Sequence, residues 1–467
     1  MIRLRRREPD RPPAPPTRLV AAKPSGGPRT TNHVIEPIGT SSAPREVAGQ
    51  AVISSIAVMR PPETARNGTG GPGPGAPSAE RPGPLAGLVV ADFSRILAGP
   101  YCTMLLADLG ADVIKVESPA GDDTRTWVPP TRDGVSTYYL AINRNKRSVA
   151  LDFSDQADNA AARELARRAD IFVENFKPGG LRRFGLDYET VSAANPAIIY
   201  ASISGFGAGA GAALPGYDMI VQAMSGLMSL TGEADGPPQR AGIALFDVIA
   251  GLHAALGILA ALSHRAATGE GQHIEVSLLS SALSGMVNQT SAQVAGGVVP
   301  FRMGNSHPSL FPYEPLPTAD GELVIAAGND GQFRRLCEVL GMPGLADDPR
   351  FAANQGRTAN RELLRPLLAE RLTQRPAGEW FTALTAAGVP CGPINTVAGG
   401  VALATELGLD PVVVAGEGPA GVPSIRHPIT FSATPPSYRR PPPALDEHGA
   451  QIRAWLAAPP SDRTNNT

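Results

Sequence analysis

The sequence predicts an α/β protein built on a parallel sheet, and three observations lead to that prediction. Short apolar runs of strand type recur from residue 85 onward. These runs alternate with segments of helical periodicity. The first strand–helix–strand unit has the length that a crossover connection requires. Such alternation is typical of a Rossmann-like sheet covered by helices on both faces, with ligands bound beyond the carboxyl ends of the strands.

The strands and helices follow from these patterns in order. The first unit is a strand at 87–93, a helix at 101–109 and a strand at 112–117. Ser154 is a candidate N-cap for an amphipathic helix that runs through Ala169. Further strands are predicted at 148–153, 170–175, 197–204 and 272–279, with a helical stretch at 242–265.

Composition divides the chain into five segments. Residues 1–84 are rich in Pro, Gly and Arg, so they are expected to be a disordered extension. Residues 85–300 form the predicted large domain, which residues 400–458 complete. Residues 305–395 carry a strand and three helices and are predicted to form a smaller α+β domain. The last residues, 459–467, are expected to be a disordered tail.

Charge and cysteine content exclude several classes of function. The net charge of the 467-residue chain is -2, which gives no reason to expect a nucleic-acid or membrane partner. Three widely spaced cysteines form no CxxC pair, so neither a zinc site nor a disulfide framework is expected. A reducing, cytoplasmic location is expected instead. The most apolar stretch, 242–262, contains Asp247 and His253 and is interpreted as a buried core helix.

Two short motifs could carry chemistry. Asp235 lies in the turn TGEADGPP, where an aspartate usually only stabilises the turn. The alternative is a nucleophile, because a carboxylate is ionised at neutral pH and can attack a thioester to form an anhydride. Lys177 and Arg183 lie just beyond a strand beside a glycine turn, which suits phosphate binding, although solvated surface charges are the commoner case.

Two glycine-containing loops are less specific. The run at 205–211 does not fit a dinucleotide-binding fingerprint and is interpreted as a loop at a strand end. The GNSH segment at 304–307 could cover a site or link two domains. No second histidine lies at metal-ligand spacing from His307, so no metal site is predicted.

From Leu85 to about Leu456 the chain resembles the class III CoA-transferases, the CaiB–BaiF family. This family includes formyl-CoA:oxalate and carnitine CoA-transferases and α-methylacyl-CoA racemase. The segments that carry the resemblance are VADFSRILAGP at 90–100, LGADVIKVE at 109–117, NRNKRSVALD at 143–152, VENFKPG at 173–179, TGEGQ at 268–272 and GVPCGPI at 388–394.

The resemblance implies a fold, an assembly and a set of site residues. The implied fold is a Rossmann-like large domain plus a small domain, in an interlocked homodimer. The implied nucleophile is Asp235, in a T-G-x-x-D-G-x-P context. The implied substrate loop includes Gly304 and Asn305. The positions implied to contact CoA are Ala98, Leu151, Asn175, Lys177 and Arg183.

Departures from the family pattern reduce the number of activities that the resemblance allows. Leu97 and Ser118 replace a glutamine and an arginine of the formyl-CoA:oxalate enzymes, which counts against oxalate as the acceptor. Tyr217 replaces the histidine base of the racemases, whereas Asp247 occupies the position of their aspartate base. An unperturbed tyrosine is a poor base at neutral pH, so a transferase is favoured over a racemase or epimerase.

The expected activity is therefore CoA transfer from an acyl-CoA to a carboxylic acid, through aspartyl-anhydride and aspartyl-CoA thioester intermediates. The expected partners are an acyl-CoA and a carboxylic acid, with no permanently bound cofactor. A racemase and a non-catalytic CoA-binding paralogue stay open as alternatives. The identity of the two acids cannot be read from the sequence.

Overall fold

A six-stranded parallel sheet forms the centre of the first part of the chain in the computed structural model, which describes residues 83–459. Except for residues 83, 84 and 459, the predicted disordered extension and tail lie outside the described residues. The elements of this first part are β1 (Val89–Asp92), α1 (Ala98–Asp108), β2 (Asp112–Glu117), β3 (Thr131–Arg132), β4 (Val135–Ser136), α2 (Thr137–Ile142), β5 (Lys146–Ala150), α3 (Gln156–Arg168), β6 (Ile171–Glu174), α4 (Tyr188–Ala194), β7 (Ile199–Ser204), α5 (Asp218–Met224), α6 (Leu227–Leu230), α7 (Leu245–Thr268), β8 (Gln272–Ser277), α8 (Leu278–Gly285) and α9 (Val287–Val294).

The strand order is β5–β2–β1–β6–β7–β8, and every neighbouring pair is parallel. The chain leaves β1 toward β2 and β5 and then returns to the other side of β1 at β6. The strand order therefore reverses at β1. In open parallel sheets, ligands bind at such a switch point, beyond the carboxyl ends of the strands.

The two faces of the sheet are covered by different helices, because alternate side chains of a strand point to opposite faces. Val90 and Val173 are fully buried in one cluster with residues of α1, α7 and α8. Ala91 and Phe172 are fully buried in a second cluster with residues of α3. The predicted doubly covered α/β sheet is thus confirmed.

A row of aromatic rings crosses the second face of the sheet. The rings of Phe93 and Phe172 stack with centroids 4.5 Å apart, and those of Phe172 and Tyr200 stack at 4.6 Å. Each such pair stabilises the fold by about 0.5–1.5 kcal/mol beyond the burial of its area. The row holds β1, β6 and β7 in the arrangement that brings their carboxyl ends together.

One predicted cap is wrong by a single residue. The N-cap of α3 is Asp155, whose carboxylate accepts hydrogen bonds from the backbone N–H groups of Ala157 (2.9 Å) and Asp158 (3.0 Å). Ser154 instead donates its hydroxyl to Asp152. Both residues are good caps, and this local bond decides between them.

Helix α7 differs from the buried core helix that the sequence predicts. Its buried face includes Ala250, Ala254 and Ile258, which pack into the cluster shared with α1. Its other face is exposed, and Leu256 has 65% of its surface accessible. By length and composition alone, α7 is the one helix among residues 83–459 that could cross a membrane. The packing of one face against the sheet identifies it as a core helix with an uncovered side.

The second part of the chain has its own hydrophobic cluster, centred on the fully buried Trp380 and Phe333. A three-stranded antiparallel sheet of order β11–β10–β9 packs against helices there. The elements are β9 (Tyr313–Pro317), β10 (Glu322–Ala326), α10 (Asp330–Val339), α11 (Gly344–Asp347), α12 (Asn354–Ala359), α13 (Arg361–Leu372), α14 (Ala377–Ala386) and β11 (Cys391–Pro393). The domain boundaries given above stay a prediction.

The last part comprises α15 (Val397–Glu406), the hairpin of β12 (Val412–Ala415) and β13 (Val422–Ile425), and α16 (Gly449–Ala457). Helix α16 packs on α3, where Ile452 and Leu456 are buried among the residues that cover the second face of the sheet.

Candidate active site

A cavity of about 350 Å³ opens at the carboxyl ends of β1, β6 and β7, next to the switch point of the sheet. Three of the five positions predicted to contact CoA line it. These are Ala98, at the start of α1, and Asn175 and Lys177, just after β6. The glycine-rich loop between β7 and α5 closes one side. Asp247 and Tyr217 also line the cavity.

Asn175 joins the two loops that form the floor of the cavity. Its side-chain oxygen accepts a hydrogen bond from the backbone N–H of Arg95 (2.9 Å), and its amide nitrogen donates to the Arg95 carbonyl (2.8 Å). The loop after β1 is thereby tied to the loop after β6. This clamp fixes the backbone two residues before the exposed Lys177.

A buried ion-pair network supports the loop after β1 from below. The ammonium of Lys115 lies 2.8 Å from the carboxylate of Asp122, and both side chains are fully buried. Lys115 also donates to the carbonyl of Ser94 (3.2 Å), and Asp122 accepts from the backbone N–H of Ile96 (3.3 Å). Ile96 lines the cavity with a φ of 68°, a left-handed conformation that is strained for a β-branched residue.

A second pair lies beside the first. Lys146 and Asp92 are also fully buried, with 3.0 Å between the ammonium and the carboxylate. Burial lowers the pKa of Lys146 to about 8. Sequence reasoning missed these pairs, because lysines in predicted strands are usually exposed.

The closure of the glycine-rich loop requires two glycines. The Cα atoms of Gly205 and Gly216 approach so closely that a Cβ built on Gly205 would lie 2.3 Å from the Cα of Gly216. The two ends of the loop are therefore pinched together beside the cavity. The predicted loop at a strand end is confirmed. Its two glycines allow the backbone segments at the ends of the loop to come into close contact.

Asp247 lies in the first turn of α7, and Asp218 holds that turn in place. One carboxylate oxygen of the buried Asp218 accepts hydrogen bonds from the backbone N–H groups of Phe246 (2.7 Å) and Asp247 (3.1 Å). Its other oxygen accepts from the side chain of Gln222 (2.5 Å). Asp218 therefore satisfies N–H groups at the start of α7 as an N-cap residue would, although it is distant in the chain.

The Asp247 carboxyl is electrostatically unlike an exposed aspartate. Burial, and after it the neighbouring charge of Asp218, raises its pKa to about 7. Burial together with the charges of Asp247 and Asp218 also raises the pKa of Tyr138 to about 12. The Tyr138 phenol therefore stays protonated at neutral pH. A carboxylate that is poorly solvated is a stronger nucleophile than one in water.

The predicted nucleophile, Asp235, lies elsewhere. It is exposed in the turn between α6 and α7 and does not line the cavity. The predicted substrate loop reaches the same turn, where the backbone N–H of Gly304 donates to the carbonyl of Gly232 (3.1 Å). Asn305 is exposed beside it. The structure therefore brings the two predicted motifs together, but not at the cavity.

Two other predicted CoA positions also lie outside the cavity. Leu151 is buried among residues that pack on α3, and its backbone N–H donates to the carbonyl of Glu117 (2.8 Å). Arg183 is exposed, with its guanidinium 4.5 Å from the ring centroid of Phe184. Neither side chain contributes to the wall around Asp247.

A neighbouring cavity of about 490 Å³ shares Phe176 and Lys177 with the first. A hydrogen bond of 2.9 Å joins Ser202 to His273 on its wall. Burial raises the pKa of Glu174, also on this wall, to about 7. The two cavities together provide an extended surface along the carboxyl ends of β6 and β7. Across residues 83–459 no three His, Cys, Asp or Glu side chains form a group that could hold a metal ion.

Comparison with known proteins agrees with this fold. The CoA-transferase family III profile matches residues 85–449. The chain is 45% identical to the succinate–glutarate CoA-transferase of Agrobacterium fabrum, over 80% of this chain and 96% of that protein. It is 42% identical to the acetyl-CoA:oxalate CoA-transferase of Acetobacter aceti, over 82% and 98%.

Solved structures lead to the same family. A CaiB/BaiF family protein from Brucella suis is 46% identical, with a TM-score of 0.73, over 80% of this chain and all of that one. Members that carry the name CoA-transferase act on CoA thioesters and carboxylic acids. The chain therefore belongs to CoA-transferase family III and is a CoA-transferase.

Proposed function

We propose that this enzyme transfers CoA between short-chain carboxylic acids, and that Asp247 is the group that carries the acyl intermediate. The observation that supports this assignment is the cavity itself. Asp247 is the aspartate that lines it together with Ala98, Asn175 and Lys177. The sequence motif favours Asp235, but an exposed carboxylate outside the cavity would have to move to meet a thioester held there.

The proposed cycle is closed in atoms and electrons. A carboxylate oxygen of Asp247 attacks the thioester carbonyl of the donor, the C–S bond breaks, and CoA thiolate leaves. The thiolate attacks the side-chain carbonyl of the anhydride, which releases the donor acid and leaves an aspartyl-CoA thioester. The acceptor carboxylate attacks that thioester, the C–S bond breaks, and a second anhydride forms between Asp247 and the acceptor. The released thiolate attacks the acceptor acyl carbonyl of this anhydride, which gives the new acyl-CoA and frees the Asp247 carboxylate. No permanently bound cofactor takes part.

Groups around the cavity are suited to these steps. Lys177 provides a cation for a CoA phosphate next to the clamp formed by Asn175. Backbone N–H groups of the glycine-rich loop can stabilise the tetrahedral oxyanions. The ordered loop supported by Lys115 and Asp122 keeps Ala98 and its neighbours in place as the substrates exchange.

Hydroxylamine trapping identifies the carboxylate directly. Added during turnover, hydroxylamine converts the acylated or CoA-linked aspartate to a hydroxamate, which peptide mass spectrometry locates. The expected result is a modified peptide that contains Asp247, in amounts that depend on acyl-CoA. A hydroxamate on Asp235 would return the assignment to the sequence motif.

The substrate class follows from the relatives. The Agrobacterium relative is named for succinate and glutarate, so we propose short dicarboxylic acids as donor and acceptor. Oxalate is the competing acceptor, because the Acetobacter relative is named for it, although Leu97 and Ser118 count against it here. Incubation of succinyl-CoA with a panel of acids, with product thioesters read by mass spectrometry, decides between them.

Epimerisation is the second candidate, because Tyr217 and Asp247 line the same cavity. These are the positions of the two racemase bases. A racemase would exchange the α-hydrogen of a 2-methylacyl-CoA for deuterium in heavy water without any second acid. We expect no such exchange, because a tyrosine replaces the histidine.

We also propose that the active form is an interlocked homodimer. The uncovered side of α7, with Leu252, Leu256 and Leu259, and nearby Val287 present a broad apolar surface in the single chain. Apolar surfaces of this extent usually mark an interface. Light scattering after gel filtration is expected to give the mass of two chains, and Leu256→Glu is expected to shift it toward one.

A further inference from the structure

A third cavity lies at the opposite end of the parallel sheet. Its volume is about 1040 Å³, and its wall includes Val89 and Asp112, the first residues of β1 and β2. Strands of four to six residues rise about 3.3 Å per residue, so roughly 15–20 Å separate this cavity from the one that contains Asp247. We refer to it as the amino-end cavity. Asp247, Asn175 and Lys177, which are assigned to the proposed transfer reaction, do not line it.

The wall of the amino-end cavity carries an excess of positive charge. Its six arginines face two aspartates, and Glu164 lies beside them, so three positive charges remain unbalanced. The arginines are Arg147, Arg167, Arg168, Arg265, Arg439 and Arg440, and the aspartates are Asp112 and Asp170. A concave surface of one charge sign concentrates the field and attracts counterions.

Four of the arginines have structural partners. Arg147 pairs with Asp112 at 2.5 Å, and Arg265 lies 3.5 Å from Asp170. Arg167 and Arg168 share Glu164, at 2.7 and 2.5 Å.

Arg168 has a further structural role at the end of α16. It donates to the carbonyls of Trp455 (2.8 Å) and Leu456 (2.9 Å), which satisfies acceptors at that helix C-terminus. These bonds explain why arginines collect where several helices end.

That explanation does not extend to Arg439 and Arg440. Within residues 83–459 neither guanidinium makes a hydrogen bond or an ion pair, and both side chains are exposed to the cavity. Their backbone is nevertheless held firmly. The N–H of Arg440 donates to the side chain of Asn145 (3.1 Å), and its carbonyl accepts from the Asn145 N–H (3.0 Å). Three prolines follow at 441–443 and restrict the chain further.

We propose that the amino-end cavity binds a small molecule that carries two or more phosphate groups, with Arg439 and Arg440 as its phosphate ligands. Guanidinium groups form paired, charge-assisted hydrogen bonds with phosphate oxygens, and a fixed backbone lowers the entropy lost on binding. The volume is sufficient for a nucleotide, and Trp455 on the wall provides an aromatic surface. The chain's own residues 1–82 are unsuitable occupants, because they contain twelve Lys and Arg against six Asp and Glu.

Isothermal titration calorimetry of the full-length protein, without acyl-CoA, tests the proposal. The probes are sodium tripolyphosphate, ATP and orthophosphate. We expect tripolyphosphate and ATP to bind at least tenfold more tightly than orthophosphate. Equal affinity for the first two would identify the phosphate chain as the recognised group, and tighter binding of ATP would identify a nucleotide.

Three variants locate the binding site. Arg439→Ala/Arg440→Ala is expected to weaken binding of tripolyphosphate at least tenfold. Arg334→Ala/Arg375→Ala removes the same charge elsewhere and is expected to leave the Kd within twofold of the unmodified protein. Lys177→Ala, at the active-site cavity, is likewise expected to leave it unchanged. Thermal unfolding followed by circular dichroism checks that each variant is folded.

Three results would overturn the proposed phosphate site. No binding of tripolyphosphate or ATP at millimolar concentration would overturn the proposal. So would an unchanged Kd in the Arg439→Ala/Arg440→Ala variant, and so would loss of binding in Lys177→Ala, since the anion would then occupy the CoA site. None of these results depends on the identity of the carboxylic acids.

Discussion

Asp235 and Asp247 are twelve residues apart in the chain, but their carboxylates lie in different surroundings. Asp235 is exposed in a turn of the single chain. Asp247 is half-buried at the start of α7, beside a second carboxylate that holds the helix end. The comparison shows that two aspartates close together in the chain can differ in burial and placement, and that a local motif reports neither.

Removal of each carboxylate provides the strongest test of this comparison. Asp247→Ala is expected to lower kcat for transfer by at least about 10⁴-fold, because no other group in the cavity can form the anhydride. Asp235→Ala is the matched control and is expected to change kcat by less than about threefold. A steady-state assay of thioester exchange measures both. The reverse pattern would show that Asp235 reaches the substrate after all.

The pH dependence sharpens the same contrast. Because burial raises the pKa of Asp247 to about 7, its reactive anion is lost below that pH. We expect kcat/KM for the acyl-CoA to fall about tenfold per pH unit below 7 and to be flat above it. If kcat/KM began to fall only near the ordinary pKa of an aspartate, the result would point to an exposed nucleophile.

The stability of the enzyme without substrate is expected to change in the opposite direction. A carboxyl with a raised folded-state pKa stabilises the protein fully below its unfolded value of 3.8, and that contribution is lost as the pH rises through about 7. Asp247→Asn removes this dependence. Urea unfolding at pH 5.5 and 8 is therefore expected to show a smaller difference in the variant than in the unmodified enzyme.

Asp218 is expected to position Asp247 without reacting itself. Asp218→Ala removes the hydrogen bonds to the first turn of α7 and is expected to lower the free energy of unfolding by about 1 kcal/mol and kcat about tenfold. Asp218→Asn keeps an acceptor but not the charge, so it is expected to recover most of the kcat. Burial still raises the Asp247 pKa in this variant, but the smaller contribution of the Asp218 charge is gone, so the acid limb of the pH profile should shift to lower pH. An unchanged pH profile in Asp218→Asn would contradict the proposed coupling.

Lys177 is expected to affect the binding of acyl-CoA more than the chemical steps. Lys177→Ala is expected to raise KM for the acyl-CoA about tenfold, with kcat changed little, because a phosphate contact persists through the cycle. Arg183→Ala, which lies outside the cavity, is the comparison. An equal rise in KM for both variants would show that CoA extends beyond the cavity wall to the 3₁₀ turn at Arg182–Phe184.

The smallest effect concerns the strained residue of the floor. Ile96→Gly relieves a left-handed conformation that costs a β-branched residue roughly 1–2 kcal/mol, so a higher melting temperature is expected. Greater freedom of the loop is expected to lower kcat about threefold. Higher stability with full activity would show that the strain has no role in catalysis.

Several features were predictable because they depend on neighbouring residues or on topology. Strand 112–117 has the predicted bounds, since its apolar residues and flanking turn are local signals. Ala98, Asn175 and Lys177 meet in one cavity because parallel strands bring their carboxyl ends to one edge. The interlocked dimer, the cytoplasmic location and the domain boundaries stay predictions.

By itself, the sequence determined the parallel α/β fold, the family and the edge of the sheet where the cavity lies. These properties follow from periodicity, strand–helix alternation and motifs that are each contained in a few consecutive residues. Only the tertiary structure decided that Asp247, rather than Asp235, lines the cavity, that Lys115 and Asp122 form a buried pair, and that the guanidinium groups of Arg439 and Arg440 are unpaired. Burial and charge pairing arise from side chains that are distant in the chain, and no local pattern encodes which of them will meet.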